Sequence, residues 1–340
     1  MLARIFLTVL AVLAAWPVDA GAVTIVTRGE NSPASIAEAY VQPFIAATDI
    51  PVRQESWEGG LDSFRPRATE GGWDLVQVDP EEVVLGCTDG LFEKLDWPAI
   101  GGKDHYQQMG VSECGVGAMV HNTVLAWDRD KFSATPTWAD FWDVAKIPGK
   151  RGLARTVRGA LEFALMADGV PVNEVYKTLG TAEGVDRAFR KLDQLKPYVV
   201  WWQTPAEAAK ILGSGDVLMT ATPSAGIVQA NRADRRNFGV QFAGSLYEPR
   251  LWAVVKGGPN TREALQFLYL TGAPSLQARL ARMSGEIGLA KGVNDWLTPE
   301  QQAVSPTFPA NASVALRVDN AFWHENLPKL KARFEAWLAQ

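Results

Sequence analysis

"EPRLWAVVKGGPNTREALQFLYLTG", residues 248 to 272, reads as a buried strand, a Gly-Gly-Pro-Asn turn and an amphipathic helix in succession. Upstream of it, "YVVWW", "DVLMTAT" and "GVQFA" are strands. "PAEAAKILGSG", with its glycine stop, and "SAGIVQANRA" are the helices between them. Further helices fall at Trp138 to Trp142, from about Arg158 to Ala167, and from Glu183 to Leu195. Near the N-terminus "AVTIVT", "PVRQES" and "WDLVQV" are strands, separated by the helical patterns "SIAEAYVQPFIAAT" and "LDSFRPRAT". This makes two strand–helix series, each the mark of an α/β lobe with a largely parallel sheet. "CGVGAMVHNTVLAWD", extended and poor in helix formers, crosses from the first series to the second. The opening stretch, near Arg250 to Lys256, is then the crossing back. The expected fold class is α/β, two lobes with a hinge crossed twice. The chain divides into 1–22, a first-lobe segment 23–123, a second lobe 124–252, and a return to the first lobe over 253–340. In the helical tail, Phe322, Trp323, Leu327, Leu330, Phe334, Trp337 and Leu338 form one apolar stripe that docks a helix on a lobe.

Residues 1–22 carry an early positive charge, the apolar run "IFLTVLAVLAA" and the small-residue sites of "VDAGA". That is the pattern of a secretory signal peptide cut after Ala20 or Ala22, with too short a core to span a bilayer. No cysteine lies near the cut to take a lipid. The ~318 remaining residues exceed one ordinary core and suit two lobes. A net charge of -5 with interspersed signs argues against a nucleic-acid partner or an anionic membrane surface. Cys87 and Cys114 are the only cysteines, and in an exported chain they are expected to form a disulfide; two buried free thiols are the alternative.

Catalytic constellations are missing. Three histidines, His105, His121 and His324, show no metal-ligand spacing, and there is no GxSxG elbow or Walker loop. "GVGAMV" is not a dinucleotide fingerprint. No enzyme activity, cofactor or metal is expected. A secreted hydrolase, the reading from another class, would need paired carboxylates or a nucleophile–base pair in the cleft.

"TPTWADFWDVAKIPGKRGLA" (135–154), "WDLVQVDP" (73–80), "VVWWQTPAEAAKILGSGDVLMT" (199–220) and "WAVVKGGPNTREALQFLYL" (252–270) follow one another in an order and spacing found elsewhere. In these segments the chain resembles the periplasmic solute-binding proteins of ABC importers, in the family that includes the spermidine/putrescine receptors. The resemblance implies a periplasmic binding protein-like type II fold whose lobes close over a small-molecule solute. It also implies a periplasmic location, action as a monomer, and an ABC permease with its ATPase in the inner membrane as partners.

Where polyamine receptors of that family place a carboxylate just before the return strand, this chain has Arg250. At two further acidic positions it has Thr156 and Gly159, flanked by Arg155 and Arg158. A guanidinium repels an ammonium and suits a carboxylate, so the expected solute is acidic or zwitterionic and Arg250 is the candidate for its acid. A structural salt bridge at Arg250 and a true putrescine/spermidine receptor are the alternatives. Loops after strands supply the other candidates. They are Arg28, Glu30, Asn31, Trp57, Glu58 and Asp79 in the first lobe, and Trp202, Gln203, Thr222 and Ser224 in the second. Glu30 or Asp79 could take an ammonium. Of the neighbours Trp201 and Trp202, strand alternation buries one and turns the other to the cleft.

Overall fold

The computed structural model describes residues 21–29 and 33–340. The signal-peptide reading, and the candidates Glu30 and Asn31, fall outside the described residues except for Gly21 and Ala22. Among the described residues no helix is long and apolar enough to cross a membrane.

Among the described residues nine strands form one mixed sheet: β1 (Val23–Arg28), β2 (Val52–Trp57), β3 (Leu75–Val78), β4 (Val116–Asp128), β5 (Arg151–Ala154), β6 (Val199–Trp202), β7 (Met219–Thr222), β8 (Phe238–Val254) and β9 (Leu316–Arg317). Their order is β2-β1-β3-β8-β4-β7-β5-β6, with β9 beside β8. The strands β1, β2 and β3 are mutually parallel, as are β5, β6 and β7, because each consecutive pair is joined by a helical crossover. β4 and β8 are antiparallel partners and the two long strands of the molecule. The end of β8 pairs with β3, Leu75 opposite Val254, while the far end of β4 pairs with β7, Val124 opposite Thr222. Each long strand therefore serves one α/β unit at one end and the other unit at its opposite end. The stretch "CGVGAMVHNTVLAWD" contains β4, and "RLWAVV" lies at the end of β8. A register irregularity between Thr123 and Leu125 lies where β4 passes from one half to the other.

Each half has its own apolar core. In the first half β1 is buried along its whole length, and Phe44, Trp252 and Phe267 pack beneath the sheet. On the opposite face Trp57, Phe64, Trp73 and Phe92 form an aromatic cluster with ring centroids 5.2–6.0 Å apart. The second half is built on Trp138, Phe141, Phe163 and Leu192.

The C-terminal helix Asn320–Leu338 joins that second core. Trp201 meets Phe334 at 5.8 Å and Trp337 at 6.1 Å, and Phe189 meets Trp337 at 6.1 Å. The division that returned all of 253–340 to the first lobe therefore does not describe the packing of this helix. Its apolar stripe shows that it must dock, but a stripe carries no address.

Cys87 and Cys114 are joined, their Cα atoms 5.8 Å apart. The bridge ties the C-terminal turn of the helix Pro80–Thr88 to the chain just ahead of β4. A loop of this length stabilises by about 3 to 4 kcal/mol in the chain-entropy account.

Candidate functional site

Between the halves lie two contiguous cavities of about 860 and 670 Å³, which share His121, Asn122, Pro205, Ala206 and Pro223 on their walls. Their floor is the β4–β8 pair, where His121 stands opposite Glu248. The smaller cavity is bordered by Arg250 and the first turn of the helix Ser224–Ala233. Ser224 is anchored there by Asn122, which accepts from its backbone N–H at 3.2 Å and donates to its hydroxyl at 2.9 Å. Beside this cavity the halves touch: Gln229 donates to the Ser284 carbonyl at 2.9 Å.

The first-half wall begins with "DPEE", residues 79–82. Asp79 caps the helix Pro80–Thr88 in a capping box with Glu82, and Pro80 takes the first helical position, where a missing N–H costs nothing. The cap collects two buried arginines. Arg28 Nη2 lies 2.8 Å from Asp79 Oδ2 and also pairs with Glu82. Arg250 places both Nε and Nη2 3.2 Å from Asp79 Oδ1. Burial tends to raise the Asp79 carboxyl, but Arg250 and Arg28 outweigh it and hold the group below its ordinary value. Glu82 goes the other way: burial and the neighbouring Asp79 charge push it up.

From the second half Arg158 reaches across. Its Nη2 lies 3.0 Å from Glu81 Oε1 of the first half, and its Nη1 is 3.6 Å from Glu248 Oε1. The backbone permits this because the helical stretch Val157–Ala167 is interrupted at its start: Arg158 is extended (ψ 129°) and Gly159 takes φ 89°. Few residues other than glycine adopt that conformation cheaply. Burial and the Asp79 charge push Glu248 up to about 8, more than the nearby Arg158 draws it down. At neutral pH Glu248 is thus mostly the neutral acid, and Glu81 is the carboxylate that answers Arg158.

A pH signature follows. Folded Glu248 keeps its proton up to about 8, whereas the unfolded chain releases it near 4.5, so between those values the folded state binds more protons. Stability should fall as pH rises through that window, and Glu248→Gln should remove a slope on the order of 1 kcal/mol per pH unit. Urea melts of both proteins at several pH values measure it, and parallel profiles would contradict the buried neutral acid.

Trp202, at the end of β6, borders the larger cavity. Its indole N–H is buried and finds no acceptor among the described residues. Trp201, only partly buried, packs against the second core. Glu58 and Gln203 are exposed on the larger cavity, and Ser224 and Arg250 border the smaller. Arg28 and Asp79 are brought together with Arg250 but do not border the cavities themselves. Two candidates face elsewhere. Trp57 is buried in the aromatic cluster, its Nε1 donating to the Gln77 carbonyl at 3.0 Å and its ring 4.8 Å from the Arg28 guanidinium. Thr222 is fully buried in β7, opposite Val124. Arg158, Glu81, Glu82, His121 and Asn122 were not singled out from sequence. In sequence Arg158 stood out only as a flank of Thr156 and Gly159, and the capping pattern at Asp79–Glu82 is a local sign of Glu82.

Residues 39–315 match the family described as bacterial extracellular solute-binding protein. The chain is 37% identical over 340 residues to the gamma-aminobutyric acid-binding protein of Pseudomonas aeruginosa, with 99% of this chain and 96% of that one covered. Among solved structures it is similar to the PBP MotA of A. tumefaciens B6 in complex with glucopine, with TM-score 0.81, 27% identity, and 94% and 100% coverage. It is likewise similar to a GABA receptor, with TM-score 0.82, 25% identity, and 94% and 98% coverage.

Proposed function

The chain belongs to the bacterial extracellular solute-binding protein family, and from that premise we propose that its cleft takes a small amino acid of the γ-aminobutyrate kind, with ammonium and carboxylate at opposite ends. The fold is the type II periplasmic binding protein fold, and the molecule is the solute-binding component of an ABC importer rather than an enzyme. The finer reading places it in the periplasm after removal of residues 1–22, as a monomer that hands its solute to an inner-membrane permease driven by an ATPase. The hinge lies in β4 and β8, near His121–Val124 and Leu246–Pro249, so that the two halves close as lobes.

One observation carries the ligand class. Arg158, on the border of the larger cavity, already holds a carboxylate offered from the opposite lobe, that of Glu81. A ligand carboxylate replaces Glu81 on the guanidinium fork, assisted by the unpartnered Trp202 N–H. Glu58, exposed on the same cavity, and the released Glu81 receive the ammonium. Phe163, Ala154 and Ala160 line the space between for the methylene chain. A diamine would set an ammonium against Arg158, and one such reversal costs a few kcal/mol in a partly dry cleft. The loss is a hundred-fold or more in affinity.

Ligand-stripped protein titrated with γ-aminobutyrate, putrescine and butyrate tests this by calorimetry and thermal shift. At about a hundred times its dissociation constant the amino acid should add roughly 2.7 kcal/mol. Putrescine and butyrate each lack one end and should bind at least a hundred-fold more weakly. Binding of putrescine with γ-aminobutyrate silent would overturn the reading.

A further inference from the structure

Glu162 is fully buried, one turn into the stretch Val157–Ala167, and borders neither cavity. Burying a carboxyl is costly unless donors surround it. Three do. Its Oε2 accepts from the Gly159 backbone N–H at 2.8 Å, and its Oε1 accepts from the Tyr176 hydroxyl and the Trp323 indole N–H, both at 2.9 Å. Gly159 is the positive-φ residue directly after Arg158, and it marks the point where regular helix begins. Trp323 belongs to the C-terminal helix, and the Arg158 guanidinium lies 5.6 Å from its ring centroid. One side chain therefore secures the backbone kink that aims Arg158 and the aromatic face against which Arg158 rests.

We propose that Glu162 is a positioning residue for solute capture: it fixes the direction of Arg158 through Gly159 and Trp323 and makes no contact with the solute. The inference rests on the proposed role of Arg158. Both oxygens of Glu162 face N–H groups that cannot turn round, whereas a glutamine presents one oxygen and one N–H₂. Glu162→Gln therefore loses either the Gly159 or the Trp323 hydrogen bond, whichever way the amide is set.

The test measures γ-aminobutyrate affinity by calorimetry in Glu162→Gln, in Arg158→Ala and in the double variant. Glu162→Gln is expected to bind ten-fold or more weakly, and to cost nothing further once Arg158 is alanine, because a positioning effect has then nothing to position. An equal loss in the Arg158→Ala background would show a general structural effect and overturn the proposal. Wild-type affinity in Glu162→Gln, with affinity lost in Arg158→Ala, overturns the positioning role alone. Wild-type affinity in both overturns the reading of the site beneath it. Should Glu162→Gln fail to fold, Trp323→Phe keeps an aromatic ring in place while removing the indole donor. A loss of affinity that vanishes in the Arg158→Ala background supports the proposal there, and unchanged affinity refutes it.

Discussion

Arg158→Ala should weaken γ-aminobutyrate binding a hundred-fold or more, equivalent to about 2.7 kcal/mol. The side chain is mostly buried, and although burial alone would lower its pKa, Glu248 and Glu81 raise it, so it remains a full cation. Its alanine variant leaves the ligand carboxylate facing the neutral acid of Glu248 with no cation to answer it. The attraction that holds the acid end is lost. Arg158→Lys restores the charge without the fork and should recover only part of the affinity. Calorimetric titration of the three proteins decides the matter. Wild-type affinity in the alanine variant would move the acid seat elsewhere, and Arg250, which borders the smaller cavity, would be the next arginine to examine.

Arg28→Met is expected to act on stability, with a loss of about 3 to 5 kcal/mol, because it strands buried carboxylates while roughly keeping side-chain volume. Arg28 is 5% exposed, and it is a cation for both Asp79 and Glu82. Asp79 would keep Arg250, whereas among the described residues Glu82 has no second ion-pair partner. The pH dependence separates this from a plain packing defect. Folded Asp79 sits below its ordinary 3.8 because Arg250 and Arg28 outweigh its burial. Its contribution is present above the unfolded value and is lost as pH falls through the folded one. The deficit of Arg28→Met should thus be largest near neutrality and shrink toward about pH 4, as carboxyl groups protonate in the variant and cease to need a cation. Urea midpoints across that range measure it. A deficit independent of pH would mean that the ion pairs contribute little and that the loss is one of packing.

Much of the architecture is local in origin and was legible before any coordinates. "RLWAVVKGGPN" is a strand and a stop wherever it sits, since its apolar run and its Gly-Pro turn are properties of neighbouring residues. The alternation of strands and helices implied two α/β units, and the cysteine pair in an exported chain implied its bridge. Asp79-Pro80-Glu81-Glu82 carries the marks of a helix start. The exchange of carboxylates for Arg250 and its neighbours pointed away from polyamines and toward an acid-bearing solute.

Which charges meet is not a local property. Asp79 is 51 positions from Arg28 and 171 from Arg250, and only the β1–β3 and β3–β8 pairings bring the three together. Arg250 stood out in sequence because of where it falls before the return strand, but in the fold it is held by Asp79. Arg158 has an ordinary helical neighbourhood in sequence. It becomes a cleft residue because Gly159 turns the backbone, because Glu162 and Trp323 brace that turn, and because Glu81 stands opposite. The C-terminal stripe shows the same division of information. Periodicity determined that the helix has an apolar face, and the packing of Trp201, Phe334 and Trp337 decided which core receives it. Sequence by itself determined the elements, their apolar faces and the class of chemistry. The tertiary structure decided the partners, because burial and ion pairing act between surfaces that chain distance does not rank.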